Sequence, residues 1–332
     1  MKLNNHVWAL VLAAGEGSRL RSLTTTINGL AVPKQFCSLN GGPSLLHEAL
    51  QRAASVASIE QTCAVVAAQH RYWWEAPLFH LPEQNVIVQP ENRGTAHGIL
   101  LPLLHIARRD PDAVILLLPA DHHVRDEAVL AHALRRVTTL ASQQPESIFL
   151  LGIEPDEPDT ELGYIVPTGD TNHVASGVSQ FVEKPSLKQA RALLDRGALW
   201  NVFIVAATAS ALLGLYESRF DETVMAMRAV VEHDYDSTLD AVAATDLYQR
   251  LTNVDFSRNV LEGQESMLRV LSVPYCGWTD LGTPQRVAET LQRLPRDLHT
   301  NSHPQHHSYL NLAAQHMRLQ FSNPAALQGL MP

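Results

Sequence analysis

Short apolar runs alternate with amphipathic stretches through the first half of the chain. A continuous apolar run is typical of a strand that is buried on both faces, whereas apolar positions three and four residues apart indicate a helix. The predicted strands are Val7–Ala13, Thr62–Ala68, Asn85–Gln89, Ala113–Leu118 and Ser147–Gly152. The predicted helices between them are Ser44–Ala57, Gly94–Arg109 and Asp126–Ser142. This alternation predicts an α/β fold with a mostly parallel sheet and helices on both faces.

The spacing of these elements changes after about residue 155. The predicted strands of the second half are Tyr164–Pro167, Val174–Val182, Trp200–Ala206 and Met267–Val273. Its predicted helical segments are Ser186–Arg196, residues 207–249 and Pro284–Leu294. We interpret residues 1–294 as one domain with halves 1–154 and 155–294, followed by a polar, His-rich tail at 295–332. The composition of the tail favours a solvated segment over weak metal binding.

Composition and charge exclude several classes of protein. The chain has 332 residues, 45% hydrophobic and 18% charged, so it can bury a large core and does not match a disordered chain. Its formal net charge of -9 argues against nucleic acid as a partner, because phosphate backbones attract a basic surface. Cys37, Cys63 and Cys276 are isolated, as is typical of reduced thiols. With no secretory signal and no membrane-length apolar run, we predict a soluble, cytoplasmic protein without a membrane partner.

A glycine loop follows the first predicted strand. Gly15 and Gly17 let the backbone approach a phosphate chain, and Arg19 and Lys34 supply charge for phosphate oxygens. A dinucleotide fingerprint would need a third glycine where Leu20 stands, and a Walker loop would need GK[ST]. A plain strand-to-helix turn with solvated basic residues is the remaining alternative. The combined spacing favours a phosphate-binding loop.

Two aspartates follow predicted strands and are candidate ligands of Mg²⁺. Asp121 comes directly after an apolar run, where the sheet rule places ligands, and Asp280 follows the last strand. Mg²⁺ prefers one or two carboxylates together with substrate phosphates. His122 and His123 are interpreted as loop residues, because no third nitrogen or sulfur ligand of a transition metal is evident.

Two further segments carry polar residues at the ends of elements. In QPENRGTAHGI, Gly94 and Thr95 open a helix, where free amides and a hydroxyl can bind a ligand; an ordinary capped helix is the alternative. In FVEKP, Glu183 and Lys184 end a strand, and a surface ion pair is the alternative.

Taken in order over roughly residues 7–290, these motifs resemble the signature LAGGxGTRLxPLT…PKQ of sugar-1-phosphate nucleotidylyltransferases. PKQF and the stretch from Arg93 to Ala96 look most similar to mannose-1-phosphate guanylyltransferases. The sequence departs from that pattern at Ala14, at Arg21-Ser22 and in LWNVF, where guanylyltransferases typically have WNSGMF. The resemblance implies a Rossmann-like sheet of the nucleotide-diphospho-sugar transferase (GT-A-like) type.

The resemblance also implies roles for individual residues. The implied catalytic residues are Arg19, Lys34, Asp121, Lys184 and Asp280, with Mg²⁺ held by Asp121 and Asp280. The implied nucleotide contacts are Leu12, Ala14, Gly15, Gly17, Gln89, Arg93, Gly94 and Thr95. The implied sugar contacts are Gly163, Glu183, Lys184 and Asn201. Residues 1–154 would then bind the nucleotide and residues 155–294 the sugar phosphate.

The implied reaction joins GMP from GTP to mannose 1-phosphate and releases pyrophosphate. An oxygen of the sugar phosphate would attack the α-phosphorus in line, so that catalysis rests on positioning and charge neutralisation. One alternative is the same chemistry on another sugar or cyclitol phosphate, such as glucose 1-phosphate with UTP or dTTP. Another is a non-catalytic relative that senses sugar nucleotides, which the retained charged residues disfavour. The oligomeric state is left open, with a homo-oligomer as one alternative.

Overall fold

Nine strands form one sheet in the computed structural model, which describes residues 6–26, 29–39, 41–171, 175–233 and 240–294. The strands are β1 Val7–Leu12, β2 Thr62–Ala67, β3 Val86–Gln89, β4 Val114–Pro119, β5 Ile148–Ile153, β6 Gly163–Pro167, β7 Ser176–Glu183, β8 Leu199–Thr208 and β9 Leu268–Val273. Every predicted strand is present within a few residues of its predicted bounds. The predicted start of β7 at position 174 and the His-rich tail lie outside the described residues.

The sheet order is β3-β2-β1-β4-β8-β5-β9-β7-β6, with a further pairing between β6 and β8. The α/β class is confirmed, and β1 to β4 pair in parallel as predicted. The second half is mixed, because β8 runs antiparallel to β4 and β5, and β6 runs antiparallel to β7 and β8. Strand β8 is buried along nearly its whole length. Its apolar run therefore looks like that of a parallel strand and hides its direction.

The helices are α1 Arg21–Thr24, α2 Leu45–Ala54, α3 Arg71–Leu78, α4 Thr95–Arg109, α5 Glu127–Gln143, α6 Leu187–Leu194, α7 Ala209–His233, α8 Asp240–Arg250 and α9 Pro284–Arg293. Side-chain oxygens cap several of their first turns, as at Ser44, Asp126 and Thr283. The predicted helical stretch 207–249 is divided into α7 and α8, and residues 234–239 lie outside the description. The sequence did not predict α1 or α3. Helix α3 contains Pro77 and buries only Trp74 and Leu78, so its pattern is weak.

Helices cover both faces of the sheet, as predicted. Along β1, Ala9 and Val11 face one apolar cluster, whereas Trp8 and Leu10 face the other. Because β1 pairs in parallel with β2 and with β4, the carboxyl ends of these three strands meet at one edge of the sheet. In the described part of the chain, no helix is long and apolar enough to span a bilayer.

Candidate active site

A cavity of about 270 Å³ opens at the carboxyl edge of β1, β3 and β4. Of the residues predicted to form the site, only Gly17, Lys34 and Arg93 do not line it. The predicted residues that line it are Leu12, Ala14, Gly15, Arg19, Gln89, Gly94, Thr95, Asp121, Gly163, Glu183, Lys184, Asn201 and Asp280. Residues from both halves of the chain thus meet at one cavity.

Lys34 connects the two predicted metal ligands. Its ammonium lies 2.9 Å from Oδ2 of Asp121 and donates a 2.6 Å hydrogen bond to the carbonyl oxygen of Asp280, 246 positions away. The loops that carry the aspartates are joined by a β-bridge, in which the amides and carbonyls of His123 and Thr279 exchange hydrogen bonds of 3.0 and 2.9 Å. This bridge brings Asp121 and Asp280 to the same ammonium group.

The electrostatic surroundings keep Asp121 ionised. Burial acts to raise the pKa of its carboxyl group, but the electrostatic effects of Lys34 and His122 and the hydrogen bonds from Lys34 and the backbone outweigh it, so the pKa lies below its ordinary value. Burial lowers the pKa of the adjacent His122 to about 4, which leaves that imidazole neutral at pH 7. Trp278 Nε1 donates to His122 Nδ1 at 3.3 Å, so the ring proton is on Nε2, which faces Asp121 Oδ1 at 3.6 Å.

Asp280 is held by a second cation. Its Oδ1 accepts hydrogen bonds from the Gly282 amide at 3.0 Å and from Arg286 at 2.5 Å, and Arg286 also contacts the Asp159 carboxylate. Leu281, which lies between Asp280 and Gly282, has a left-handed φ of 49°. A non-glycine residue in this region carries strain, which often accompanies functional sites.

The glycine loop is held by contacts with residues 33–35. Gly17 has φ 62°, and a Cβ atom there would lie 2.8 Å from the Lys34 amide nitrogen, so the close approach requires glycine. The Gln35 side chain is 2% exposed and donates to the carbonyl oxygens of Ala13 and Gly15 at 2.9 and 2.8 Å. Gln35 therefore positions the loop in front of the cavity.

The start of α4 packs against the backbone that precedes residue 256. Gly94 has φ 88°, and a Cβ atom there would lie 2.2 Å from the Val254 carbonyl oxygen. The Thr95 hydroxyl accepts from the Phe256 amide at 2.8 Å. Gln89 lines the cavity and is 1% exposed, and its Oε1 has no hydrogen-bond partner among the described residues.

Arg93 points away from the cavity. Its Nε donates to the Tyr248 carbonyl oxygen at 2.8 Å, and Nη2 lies 2.7 Å from the Glu91 carboxylate. In this conformation the guanidinium ties α4 to α8.

The predicted sugar residues are cross-strand neighbours. Gly163 of β6 is paired with Glu183 of β7 on one side and with Asn201 of β8 on the other. Lys184 adopts φ 51°, and its Nζ lies 3.8 Å from Glu183 Oε1. Burial, and then the neighbouring Asp255, raise the pKa of Glu183 to about 7, although Lys184 acts in the opposite direction.

Comparison with known proteins identifies the family. The family model for nucleotidyl transferases matches residues 8–296. The chain belongs to this family. The Pseudomonas syringae pv. tomato alginate biosynthesis protein AlgA is 30% identical over 283 residues, which are 82% of this chain and 56% of AlgA. The mannose-1-phosphate guanylyltransferase of Escherichia coli is 35% identical over 204 residues, 59% of this chain and 41% of the relative. The chain spans about half the length of these curated relatives.

Solved structures show the same fold. A Thermus thermophilus protein described as a mannose-1-phosphate geranyltransferase superposes with a TM-score of 0.72 at 25% identity, over 87% of this chain and 80% of that one. The inositol-1-phosphate CTP transferase of T. maritima gives a TM-score of 0.51 at 15% identity, over 93% of this chain and 95% of that one, and shows the fold alone.

The structure adds residues to the candidate site that the sequence did not predict. Gln35 lies within PKQF without a predicted role of its own, and Arg286 lies in a helix with no motif of its own. Glu161 lines the cavity and pairs with Arg19 at 2.8 Å. Asp255 lines the cavity opposite Glu183, with its Oδ2 3.5 Å from the Thr95 hydroxyl. Clusters of charge across distant loops carry no local sequence signal, so only the fold shows them.

Proposed function

We propose that this chain transfers a nucleotidyl group from a nucleoside triphosphate to a sugar 1-phosphate and releases pyrophosphate. The observation that carries the proposal is that Asp121 and Asp280 line one cavity, while the Lys34 ammonium contacts the Asp121 carboxylate and the Asp280 backbone carbonyl. The glycine loop lies on one side of that cavity, and the paired residues Gly163 and Glu183 lie on another. Membership of the nucleotidyl transferase family supports the same reaction class.

Within this proposal, residues 1–154 bind the nucleotide and residues 155–294 the sugar phosphate. The amides of the glycine loop and Arg19 hold the triphosphate, and Lys34 neutralises charge on the reacting phosphates. Lys184 binds the phosphate of the acceptor. An oxygen of that phosphate attacks the α-phosphorus in line and pyrophosphate leaves, so one P–O bond forms as another breaks. The attacking oxygen is already anionic, so the site needs no general base.

The donor groups fit Mg²⁺. Asp121 and Asp280 both line the cavity, where their carboxylates can supply oxygen ligands, and Mg²⁺ takes one or two carboxylates together with substrate phosphates. Within the residues that the structure describes, no three His, Cys, Asp or Glu side chains form a complete cage for a metal. Asp121 and Asp280 would therefore hold the ion together with the phosphates. When bound, the ion neutralises charge on the phosphates.

We infer that GTP and mannose 1-phosphate are the substrates. PKQF, the stretch from Arg93 to Ala96 and relatives named as mannose-1-phosphate guanylyltransferases support this choice. Gln89 supports readout of a base edge, since its buried Oε1 beside the cavity has no hydrogen-bond partner in the described part of the chain. Relatives named for alginate and xanthan biosynthesis support a role in supplying polysaccharide synthesis.

A substrate matrix tests the proposal. The protein is mixed with Mg²⁺, each of GTP, UTP, dTTP and ATP, and each of mannose 1-phosphate, glucose 1-phosphate and a cyclitol phosphate, and pyrophosphate is measured. Turnover with GTP and mannose 1-phosphate above every other pair is expected. A preference for dTTP or UTP would contradict the guanylyl assignment, and no turnover with any pair would contradict the reaction class.

A further inference from the structure

Phe203 is a bulky residue held in a left-handed conformation at the cavity wall. Its φ is 58°, in a backbone region that residues other than Gly, Asn and Asp rarely adopt. The residue lies where β8 bulges: Leu150 of β5 is paired with Val205 and Gly152 with Asn201, so one residue of β5 faces three of β8. Bulges next to active sites re-aim a side chain.

The surroundings fix this conformation. The Phe203 amide donates to Oδ1 of Asn201 at 3.1 Å, and the Phe203 ring meets the Phe256 ring edge to face, with centroids 6.1 Å apart. This hydrogen bond orients the Asn201 amide, whose Nδ2 group can donate to a ligand. The bulge thus both orients Asn201 and places an aromatic ring among the cavity-lining residues.

The sequence itself marks the position. In the guanylyltransferase motif WNSGMF the second residue after Asn is glycine, which adopts a left-handed φ without strain. This chain lacks the Ser-Gly of that motif, and the second residue after Asn201 is Phe203. This chain places a phenyl ring on a left-handed backbone, and Phe203 lines the cavity together with the predicted sugar residues Glu183 and Asn201.

We propose that Phe203 is a specificity-determining residue: its ring narrows the sugar end of the cavity and restricts the acceptor to hexose 1-phosphates without a bulky ring substituent. The inference rests on the proposed function, because it concerns the acceptor of that reaction. The strain of the left-handed backbone is the cost of placing the ring at this wall.

Acceptor selectivity tests the proposal. For Phe203→Gly and Phe203→Ala, kcat/KM for mannose 1-phosphate is compared with kcat/KM for its 2-acetamido and 6-O-methyl derivatives. At least one ratio should fall by about tenfold or more, the discrimination that steric bulk in a pocket provides. Unchanged ratios, or a change confined to KM for the triphosphate, would overturn the proposal. Phe79→Ala removes a phenylalanine that is 89% exposed and should leave the ratios unchanged.

Two further measurements keep the test decisive. Calorimetry gives the dissociation constants of the same acceptors without requiring turnover. If the chain binds acceptors but does not turn them over, these constants still test the role of Phe203, so the inference can be judged separately from the proposed function. Phe203→Gly should melt about 2–4 °C above Phe203→Ala, since only glycine relieves the left-handed strain.

Phe203→Leu keeps apolar bulk and should shift the ratios in the same direction by less. A Phe203→Leu variant with more stringent selectivity than the wild type would contradict the proposal.

Discussion

A Cβ atom on Gly163 would lie 2.5 Å from Oε2 of Glu183. These residues are paired across β6 and β7, and the absence of a side chain on Gly163 is what allows the Glu183 carboxylate to sit over the strand. Asn201 approaches the same point from β8, 3.3 Å from the hypothetical Cβ. The shape of the proposed sugar end of the cavity therefore depends on this glycine.

Gly163→Ala should displace the Glu183 carboxylate more than it damages the fold, because the nearest atom is the end of a flexible side chain. We expect kcat/KM for the sugar phosphate to fall by about 10- to 100-fold, as misplacement of a positioning group does, with little change in KM for the triphosphate. Gly214→Ala is the matched control, since nothing lies within 4 Å of a Cβ atom there. An equal loss for both substrates in Gly163→Ala would argue for general damage instead.

The raised pKa of Glu183 predicts a pH-dependent stability. Between the ordinary value of 4.5 and the folded value of about 7, the folded chain binds more protons at this carboxyl group than the unfolded chain does. Stability therefore falls as the pH rises through this window. Burial and the acidic groups of Asp255 and Glu262 raise the pKa of Glu183, whereas Lys184 and Arg258 lower it.

Glu183→Gln removes this titration. The variant should be more stable than the wild type by up to about 3 kcal/mol at pH 8, and the difference should fade towards pH 4.5. Its KM for the sugar phosphate should rise, because an amide replaces the carboxylate that we propose accepts hydrogen bonds from the sugar hydroxyls. Chemical denaturation at a series of pH values checks the first claim. A stability difference that does not vary with pH would show that Glu183 titrates normally.

Several site residues were predictable because strand ends are readable from sequence. Asp121 follows the apolar run of β4, and the sheet rule places such a residue at the ligand edge. The partnership of Asp121 with Asp280 was not readable, because it depends on the bridge between His123 and Thr279. The direction of β8 was equally hidden, since burial on both faces removes the alternation that marks an antiparallel strand.

The ion pair between Glu161 and Arg19 predicts that removing the Glu161 charge increases the affinity for the triphosphate. Its carboxylate pairs with Arg19 at 2.8 Å while about half of each side chain is exposed, with 45% for Glu161 and 52% for Arg19. A triphosphate that binds Arg19 must displace this carboxylate. Glu161→Gln should therefore tighten binding of the triphosphate by about two- to fivefold, the range that an exposed ion pair contributes.

Calorimetric titration with the triphosphate measures this effect. The gain should disappear when Arg19→Ala is added, because both changes act on one ion pair. Glu146 precedes β5, whereas Glu161 follows it. Glu146→Gln removes a negative charge there and should leave the affinity for the triphosphate unchanged. Weaker binding in Glu161→Gln would mean that Glu161 contacts the ligand directly.

The two aspartates should behave as one unit. Asp121→Asn and Asp280→Asn should each lower turnover by at least about 10²-fold, on the scale of lost charge stabilisation. The double variant should lose much less than the product, because both residues serve one ion. Activity should vanish in EDTA and return with Mg²⁺. Multiplicative losses, or full activity in EDTA, would rule out a shared ion.

Lys34 provides the most direct test of the proposed reaction centre, because its ammonium contacts the Asp121 carboxylate and the backbone carbonyl oxygen of Asp280. The measurement is kcat for pyrophosphate release by Lys34→Ala, with Lys188→Ala, an exposed lysine on α6, as the control. Lys34→Ala should lose about 10²- to 10³-fold in kcat, as when one electrostatic stabiliser is removed, while Lys188→Ala keeps wild-type turnover. Wild-type turnover in Lys34→Ala would place the reacting phosphates elsewhere and contradict the account.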